Sequence, residues 1–527
     1  MTAHNNTALD PNPFPARESL SPPNAGTRRW MGLALLTLPT ALLGLDLTLL
    51  HLALPALAVD LRPTSTEALW IMDAYGFMIA GFLITMGTLG DRIGRRKLLM
   101  IGAAAFAAAS LIAAFSTSSM MLILARAALG IAGATLMPST LALISNLFSD
   151  PRERALAIGV WATTFALGMA LGPVVGGLLL EHFWWGAAFL VAVPVVGLLL
   201  VLTPVLLPEF RVPQSGRLDL TSVALSLAAM LPVVYGIKDV AKHGPSFAAI
   251  GIMATGIIFG LIFVRRQQRL ADPLLEIGLF GSRGFSVALV VLLFGLIAVG
   301  GTLLLVTQYL QLVAGFSPLV AGLWMGLPAL AMVAAGVGAP LVARHIRPGF
   351  VVAGALALSV VGYLMLSGLD NANDLGKIIV GFSLVYLGLG TIAALGTDLV
   401  VTSAPAEKAG SASAMSETVQ DLGASLGIAI LGSIATAVYR GAMAEEIPEG
   451  LSVAVRASVG DSLWAASSVQ QGLPNGLMEN AQAAFITGFS TVATLCAIVV
   501  SILTLLAAVA LRKIPPLNAA APLNDGG

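Results

Sequence analysis

Long apolar runs recur along the whole chain, each ended by a few charged residues or by Pro and Gly. A helix needs about 20 apolar residues to cross a hydrocarbon core of about 30 Å. Fourteen runs meet that length, at 31–53, 67–89, 98–116, 119–146, 155–180, 186–207, 219–237, 247–264, 284–307, 319–343, 350–368, 377–400, 411–439 and 482–511. The pattern therefore predicts an all-α membrane protein with fourteen transmembrane helices. Residues 1–29, with Pro11, Pro13, Pro15, Pro22 and Pro23 and few large apolar side chains, read as a disordered cytoplasmic tail, and residues 512–527 as a second tail. The first run has no signal-peptide layout and is expected to be retained as a helix.

The chain repeats weakly at an offset of about 254 residues. Leu167-Gly168-Met169-Ala170-Leu171-Gly172 recurs as Leu422-Gly423-Ala424-Ser425-Leu426-Gly427, and Pro151-Arg152-Glu153-Arg154-Ala155 as Pro405-Ala406-Glu407-Lys408-Ala409. Together these matches suggest two six-helix halves, 30–208 and 284–511, separated by two inserted helices within 209–283. Duplicated helical halves are an architecture of secondary transporters, with the substrate site between them near the midplane. The stretch 440–481 falls between the last two spans, and its spaced Leu451, Val455, Leu463 and Leu473 predict short amphipathic helices, an outside hairpin expected to cap the outward opening.

Composition narrows the function. Of 527 residues 57% are hydrophobic and only 10% charged, and 27 basic residues balance 27 acidic ones, so no nucleic-acid partner is expected. The lone Cys496 excludes a disulfide framework. There is no phosphate loop and no HExxH, so neither ATP-driven pumping nor metal chemistry is expected, and no cofactor is called for. Nor is enzymatic activity expected. With both termini inside, the inside segments hold twenty Lys and Arg and the outside segments six: Arg62, Lys238, Lys242, Lys377, Arg440 and Arg456. Only Arg126 is left within a span, and this bias favours both termini in the cytoplasm.

Acids within apolar runs are the main candidates for chemistry, because a charged side chain in the bilayer is costly and usually marks an ion or substrate pathway. Asp46 is expected about 22 Å from the inner end of span 1, Asp73 about 9 Å and Arg126 about 12 Å from the outer ends of spans 2 and 4. At that shared depth the three are expected to interact, with Arg126 holding one carboxylate ionised until a proton arrives; the plainer alternative is a static ion pair. Glu417 and Asp421, at i and i+4, share one face of span 13. Like charges there resist ionising together, so one of the two is expected to hold a proton and act as a proton carrier, unless Glu417 is simply solvated. Asp398 reads as interfacial.

Gly168, Gly172, Pro173, Gly176 and Gly177 give span 5 a small-residue packing face and one missing backbone donor. Trp161, Phe165, Met169, Trp324, Met325, Phe382 and Tyr386 are candidates to line a cavity for flat, lipophilic cations, or else are ordinary helix contacts. Trp161, Phe165 and Met325 are carried forward as substrate-binding candidates beside Asp46, Asp73 and Glu417.

These motifs resemble the major facilitator superfamily, and within it the fourteen-span drug:proton antiporters. Gly87-Thr88-Leu89-Gly90-Asp91-Arg92-Ile93-Gly94-Arg95-Arg96-Lys97 is similar to the signature loop between spans 2 and 3, so the resemblance implies a conformational latch at Gly87, Asp91, Arg92, Gly94 and Arg95. Leu45-Asp46-Leu47-Thr48 through Leu54-Pro55 resembles the span 1 motif. Leu122 through Arg126 to Gly130 and Gly133 resembles the proton-coupling motif of span 4, and Gly168 to Gly177 the antiporter motif. Leu69 to Tyr75 and Ser416 to Gly423 are similar to segments of the QacA and SmvA type of quaternary ammonium exporter. The resemblance implies the major facilitator fold and proton-coupled efflux of lipophilic cations across a bacterial cytoplasmic membrane, with Asp46, Arg126, Glu417 and Asp421 in proton coupling. It departs at Ala343-Arg344-His345, where the second-half counterpart of the latch lacks an acid, and in span 10, which lacks a carboxylate; divalent export is therefore not implied. Drugs, protons and lipid are the partners expected of a monomer. Export of an endogenous lipid, peptide or antibiotic, or a nontransporting sensor, would use the same scaffold.

Overall fold

The computed structural model describes residues 25–148, 150–210, 219–270, 273–369, 374–405, 408–448, 450–512 and 514–515. Most of both expected tails lies outside these residues. Where the first tail is described, residues 25–29 already form the opening turns of the first helix, because no proline lies between Ala25 and the apolar run.

Fourteen helices among the described residues are long and apolar enough to cross a membrane, one for each predicted run. They are α1 (Thr27–Leu61), α2 (Ser65–Ile93), α3 (Arg95–Ala114), α4 (Ser119–Leu147), α5 (Leu156–His182), α6 (Ala187–Leu206), α7 (Leu220–His243), α8 (Phe247–Gln267), α9 (Arg283–Val313), α10 (Pro318–Ala343), α11 (Pro348–Ser367), α12 (Leu375–Thr402) and α13 (Ser411–Met443). Two short helices follow, α14 (Val453–Asp461) and α15 (Leu463–Ser468), before the last spanning helix, α16 (Leu477–Ala510).

Local chemistry explains where the helices begin. Thr64 caps α2 in a reciprocal box with Glu67, Ser118 caps α4, and Ser317 caps α10 ahead of Pro318. Each side chain satisfies backbone donors that the first turn leaves free. Between α2 and α3 the chain turns through Gly94 at φ +111°, a conformation that side chains with a Cβ rarely adopt.

Burial separates the helices into two bodies and an outrigger. One cluster of buried side chains is built mainly from α1–α6, including Leu36, Tyr75, Phe106, Leu129 and Leu199. A second is built mainly from α9–α16, including Phe285, Leu310, Phe382, Phe489 and Val500. The pair α7 and α8 stands outside both. Only 22% and 17% of their most apolar windows are buried, against 67% for α1 and α2 and 72% for α9, so most of the surface of these two helices is left uncovered by the rest of the chain. They reach the core at one small cluster of Phe77, Val234 and Ala429, where α7 meets the seam between α2 and α13.

The two bodies meet toward the end that carries α14 and α15, here termed the hairpin end. Gly76 of α2 lies against Ser425 of α13, and Gly432 against Leu69. Gly177 of α5 abuts Pro318 and Leu319 of α10, while Gly322 abuts Pro173 and Val174. A Cβ at Gly76, Gly177 or Gly322 would collide with those neighbours, so absent side chains make the seam close. At the other end, the Arg95 end, Val160, Leu156, Leu341 and Val342 are exposed.

The hairpin bridges both bodies. Ser65, at the start of α2, donates its backbone N–H to Asp461 at 2.6 Å, and Arg440 of α13 forms an ion pair with that carboxylate. Arg440 also donates to Ser65 Oγ at 2.7 Å and to the Lys242 carbonyl of α7 at 3.0 Å. Tyr439 donates to the Val459 carbonyl at 2.8 Å, and Trp464 is buried in the first cluster.

Candidate functional site

The spanning acids fall into two kinds. Asp46 is neutralised inside the first body. Arg126 Nη1 lies 2.7 Å from Asp46 Oδ2, and Arg126 Nε donates to the Ile71 carbonyl at 3.2 Å. Its guanidinium sits 4.5 Å from the Tyr75 ring centroid and 6.0 Å from that of Phe189. At 2% exposure, Arg126 is therefore held by α1, α2 and α6 at once. The close approach of α4 to α2 depends on Gly130, where a Cβ would strike the Tyr75 carbonyl.

Asp73 does not join that pair, contrary to the expected interaction of Asp46, Asp73 and Arg126. Its partner is Lys238 of α7, whose Nζ lies 2.9 Å from Asp73 Oδ2 and donates to Oδ1 at 3.2 Å. The two side chains are 0% and 1% exposed, and the ammonium sits 3.7 Å from the Trp70 ring centroid. The expectation failed because Lys238 was assigned to an outside segment, leaving Arg126 as the one basic residue in a span. In the structure α7 runs on to His243 and ends at Gly244, which carries Lys238 about 8 Å inside the helix. The Gly244-Pro245 break was the available signal, since Gly commonly follows the last helical residue. Lys242 and Arg440, also assigned outside, likewise belong to α7 and α13.

Glu417 and Asp421 differ. They lie on successive turns of α13, half-buried, and neither carboxylate has a hydrogen-bond or ion-pair partner among the described residues. The Asp421 carbonyl lies beside Gly76, so this face of α13 looks toward the seam. Next to the acids is a neutral polar group: Gln420 donates to the Ser416 carbonyl at 3.2 Å, and Ser416 Oγ donates to Thr397 Oγ1 of α12 at 3.3 Å. Asp398, one residue beyond Thr397, is half-buried in α12, and its carboxylate has no partner among the described residues.

The loop between α2 and α3 is stitched to the first body. Arg95 Nη2 lies 2.7 Å from Asp91 Oδ1, and its Nη1 donates to the Pro138 carbonyl of α4 at 3.4 Å. Arg96 donates to the Leu207 carbonyl at 3.0 Å and its N–H to Glu209 Oε1 at 3.1 Å. Gly87 faces Pro138 and Gly94 faces Glu209. Arg92 is exposed and has no partner among the described residues. On α5, Gly168, Gly172 and Gly176 face Ala41, Thr48 and Leu49 of α1, whereas Gly177 and Pro173 face α10.

The three aromatic and methionine candidates do not form one lining. Trp161 is buried in the first core, its Nε1 donating to Thr140 Oγ1 at 3.1 Å, and Met325 is buried in the second core. Both are held by packing within separate bodies. Phe165 is half-buried, with its carbonyl against Gly44. His51 was visible in the first apolar run yet not singled out. It is buried on α1, and neither ring nitrogen forms a hydrogen bond among the described residues.

Two bundles of six helices with a close seam at one end, acids within the spans and a helix pair outside define a membrane transporter of the major facilitator type. The model of the Major Facilitator Superfamily matches residues 36–428. The chain is 44% identical over 491 residues to the multidrug efflux pump LfrA of Mycolicibacterium smegmatis, covering 92% of this chain and 97% of the relative. It is 34% identical over 473 residues to the methyl viologen resistance protein SmvA of Salmonella typhimurium, covering 88% and 94%. Among solved structures, a bacterial homolog of the human lysosomal transporter Spinster, inward-facing and unoccupied, superposes with a TM-score of 0.65 over 94% of this chain and 98% of that one. At 16% identity it bears on the fold alone. The chain belongs to the major facilitator superfamily and is a multi-pass membrane transporter, not an enzyme.

Proposed function

We propose that this transporter is a proton-coupled antiporter that exports lipophilic and quaternary ammonium cations by alternating access. The observation that carries the reading is the pair Glu417 and Asp421. They are the acids on the seam-facing helix that no basic residue neutralises among the described residues, and a carboxylate without a partner is free to exchange a proton for an organic cation. Asp46 and Arg126 take part in proton coupling as a closed pair whose opening exposes a further charge. Phe165 supplies a ring face for the cation. Support also comes from the names of the relatives, one a multidrug efflux pump and the other a methyl viologen resistance protein.

In this reading the chain is a monomer in the bacterial cytoplasmic membrane. The excess of inside Lys and Arg sets both termini in the cytoplasm, the Arg95 end inward and the hairpin outward. Residues 30–208 and 284–511 rock against each other, 209–283 supplies the two linker helices, and 440–481 is the outer cap. The loop at Gly87, Asp91, Arg92, Gly94 and Arg95 latches the inward end, while Gly168, Gly172, Gly176 and Gly177 with Pro173 carry the crossings of α5.

The energetics fit an exchange. Carrying one positive charge outward against an inside-negative potential costs about 2.3 kcal/mol per 100 mV. One inward proton cancels that cost for a monovalent drug, and each pH unit then supplies about 1.4 kcal/mol. The test is drug-dependent proton release from everted vesicles containing the protein. Release that begins on adding tetraphenylphosphonium and disappears in Glu417→Gln is expected; no release with the wild type overturns the proposal, and a neutral preferred substrate would point instead to export of an endogenous compound.

A further inference from the structure

The Asp73–Lys238 pair is more than a bridge between helices. Trp70 and Asp73 are one turn apart on α2, so a ring face and a carboxylate converge on the same point. Those are the two groups that recognise an organic ammonium ion. The point is occupied by a primary ammonium on a four-carbon stem, delivered by a helix that belongs to neither six-helix body. On α7, Leu231, Val234 and Lys238 follow one another at helical spacing along the face that meets the small cluster with Phe77 and Ala429. Lys238 thus enters at the seam between α2 and α13, where the bodies have to part for the outward end to open.

The manner of binding differs from that of Arg126. The guanidinium is held by a carboxylate, a carbonyl and two rings on three helices, whereas Lys238 has one carboxylate and one ring. Asp73 Oδ1 receives its hydrogen bond, but Oδ2, buried and 2.9 Å from Nζ, receives none of acceptable geometry, so acceptor capacity is left over. A point charge on a flexible stem is also the easier of the two to displace.

We infer that Trp70 and Asp73 form an organic-ammonium site, and that Lys238 is its tethered occupant and determines the charge selectivity of export. This rests on the proposed cation export and names what regulates it. With Lys238 in place Asp73 contributes no net charge at the seam, and a transported cation meets the charges of Glu417 and Asp421 alone. Removing the lysine charge leaves one more negative charge, which favours dications over monocations. Removing the Asp73 charge leaves one more positive charge and has the opposite effect.

The experiment compares transport of methyl viologen, a dication, with that of tetraphenylphosphonium, a monocation, in proteoliposomes. Lys238→Met is expected to raise the dication-to-monocation ratio about tenfold, the response to one freed charge-assisted contact. Lys238→Arg is expected to keep the wild-type ratio, Asp73→Asn to lower it, and Lys238→Met combined with Asp73→Asn to restore it. A folded Lys238→Met with an unchanged ratio overturns the inference while leaving cation export standing. If Lys238→Met does not fold, Asp73→Asn carries the test, and an unchanged ratio there overturns it equally. If the wild type transports neither cation, export itself fails; the ratio of Kd values of the detergent-purified proteins for the two cations then decides, with the same shifts expected and their absence overturning the inference.

Discussion

Asp46 and Asp73 of the first six-helix body are paired, whereas Glu417 and Asp421 of the second have no partner among the described residues. Asp46 has Arg126 at 2.7 Å, with the guanidinium buried and the carboxylate half-buried, and Asp73 has Lys238 at 2.9 Å with both buried. Glu417 and Asp421 share a helix face and have no basic partner among the described residues, with the neutral polar Ser416, Gln420 and Thr397 beside them. A buried pair returns much of its desolvation cost through mutual attraction, and removing one partner leaves the other charge uncompensated. A partnerless carboxylate has nothing to lose when it is neutralised. Under the proposed antiport, the contrast puts the readily exchanged acids on the second body.

The largest expected effect tests that division directly. Arg126→Ala strands Asp46 in a buried site and removes the cation from the Tyr75 and Phe189 rings; a loss of about 3–5 kcal/mol is expected, seen as reduced yield and a lowered Tm in detergent. Glu417→Gln combined with Asp421→Asn is the mirror case. Proton-coupled efflux should fall to the level of empty vesicles while the Tm stays at or above that of wild type, because no native contact is lost. If Tm collapses in this double variant, the acids have partners and the comparison breaks down.

Asp461→Ala sharpens it at the hairpin end, where Ser65 and Arg440 lose a shared acceptor; a loss of about 1–2 kcal/mol is expected, with faster outward leak of loaded dye from vesicles. The smallest effect is at Asp219, ahead of α7. Burial alone would push its carboxyl up, but hydrogen bonds from Ser222 and Arg266 outweigh that and hold it below the ordinary carboxylate value. A depressed folded-state value stabilises above the unfolded value of about 4 and is lost as pH falls through the folded one. The anchoring of α7 to α8 should therefore weaken only below about pH 4, and Asp219→Asn should remove that acid dependence of protease protection in the linker.

Much of the site was readable residue by residue. Asp46, Asp73, Arg126, Glu417 and Asp421 stood out because charges within apolar runs are rare, and the i, i+4 spacing put the last two acids on one face. Partner choice was less accessible. Arg126 met Asp46 as depth arithmetic suggested, but the same arithmetic assigned Asp73 to that group too, since depth says nothing about which side of a helix faces which neighbour. Trp161 and Met325 looked like pocket residues because a ring and a thioether suit a cation site and a core equally well.

By itself the sequence determined the fourteen spans and the duplicated halves, because bilayer thickness converts apolar run length into helix number without reference to neighbours. It also determined which helices carry the acids. Only the tertiary structure decided that Lys238 of α7 meets Asp73, with Glu417 and Asp421 left without a partner among the described residues. Pairing depends on helix rotation and on close approaches permitted by glycines such as Gly76 and Gly130, and these are properties of packed surfaces between segments far apart in the chain.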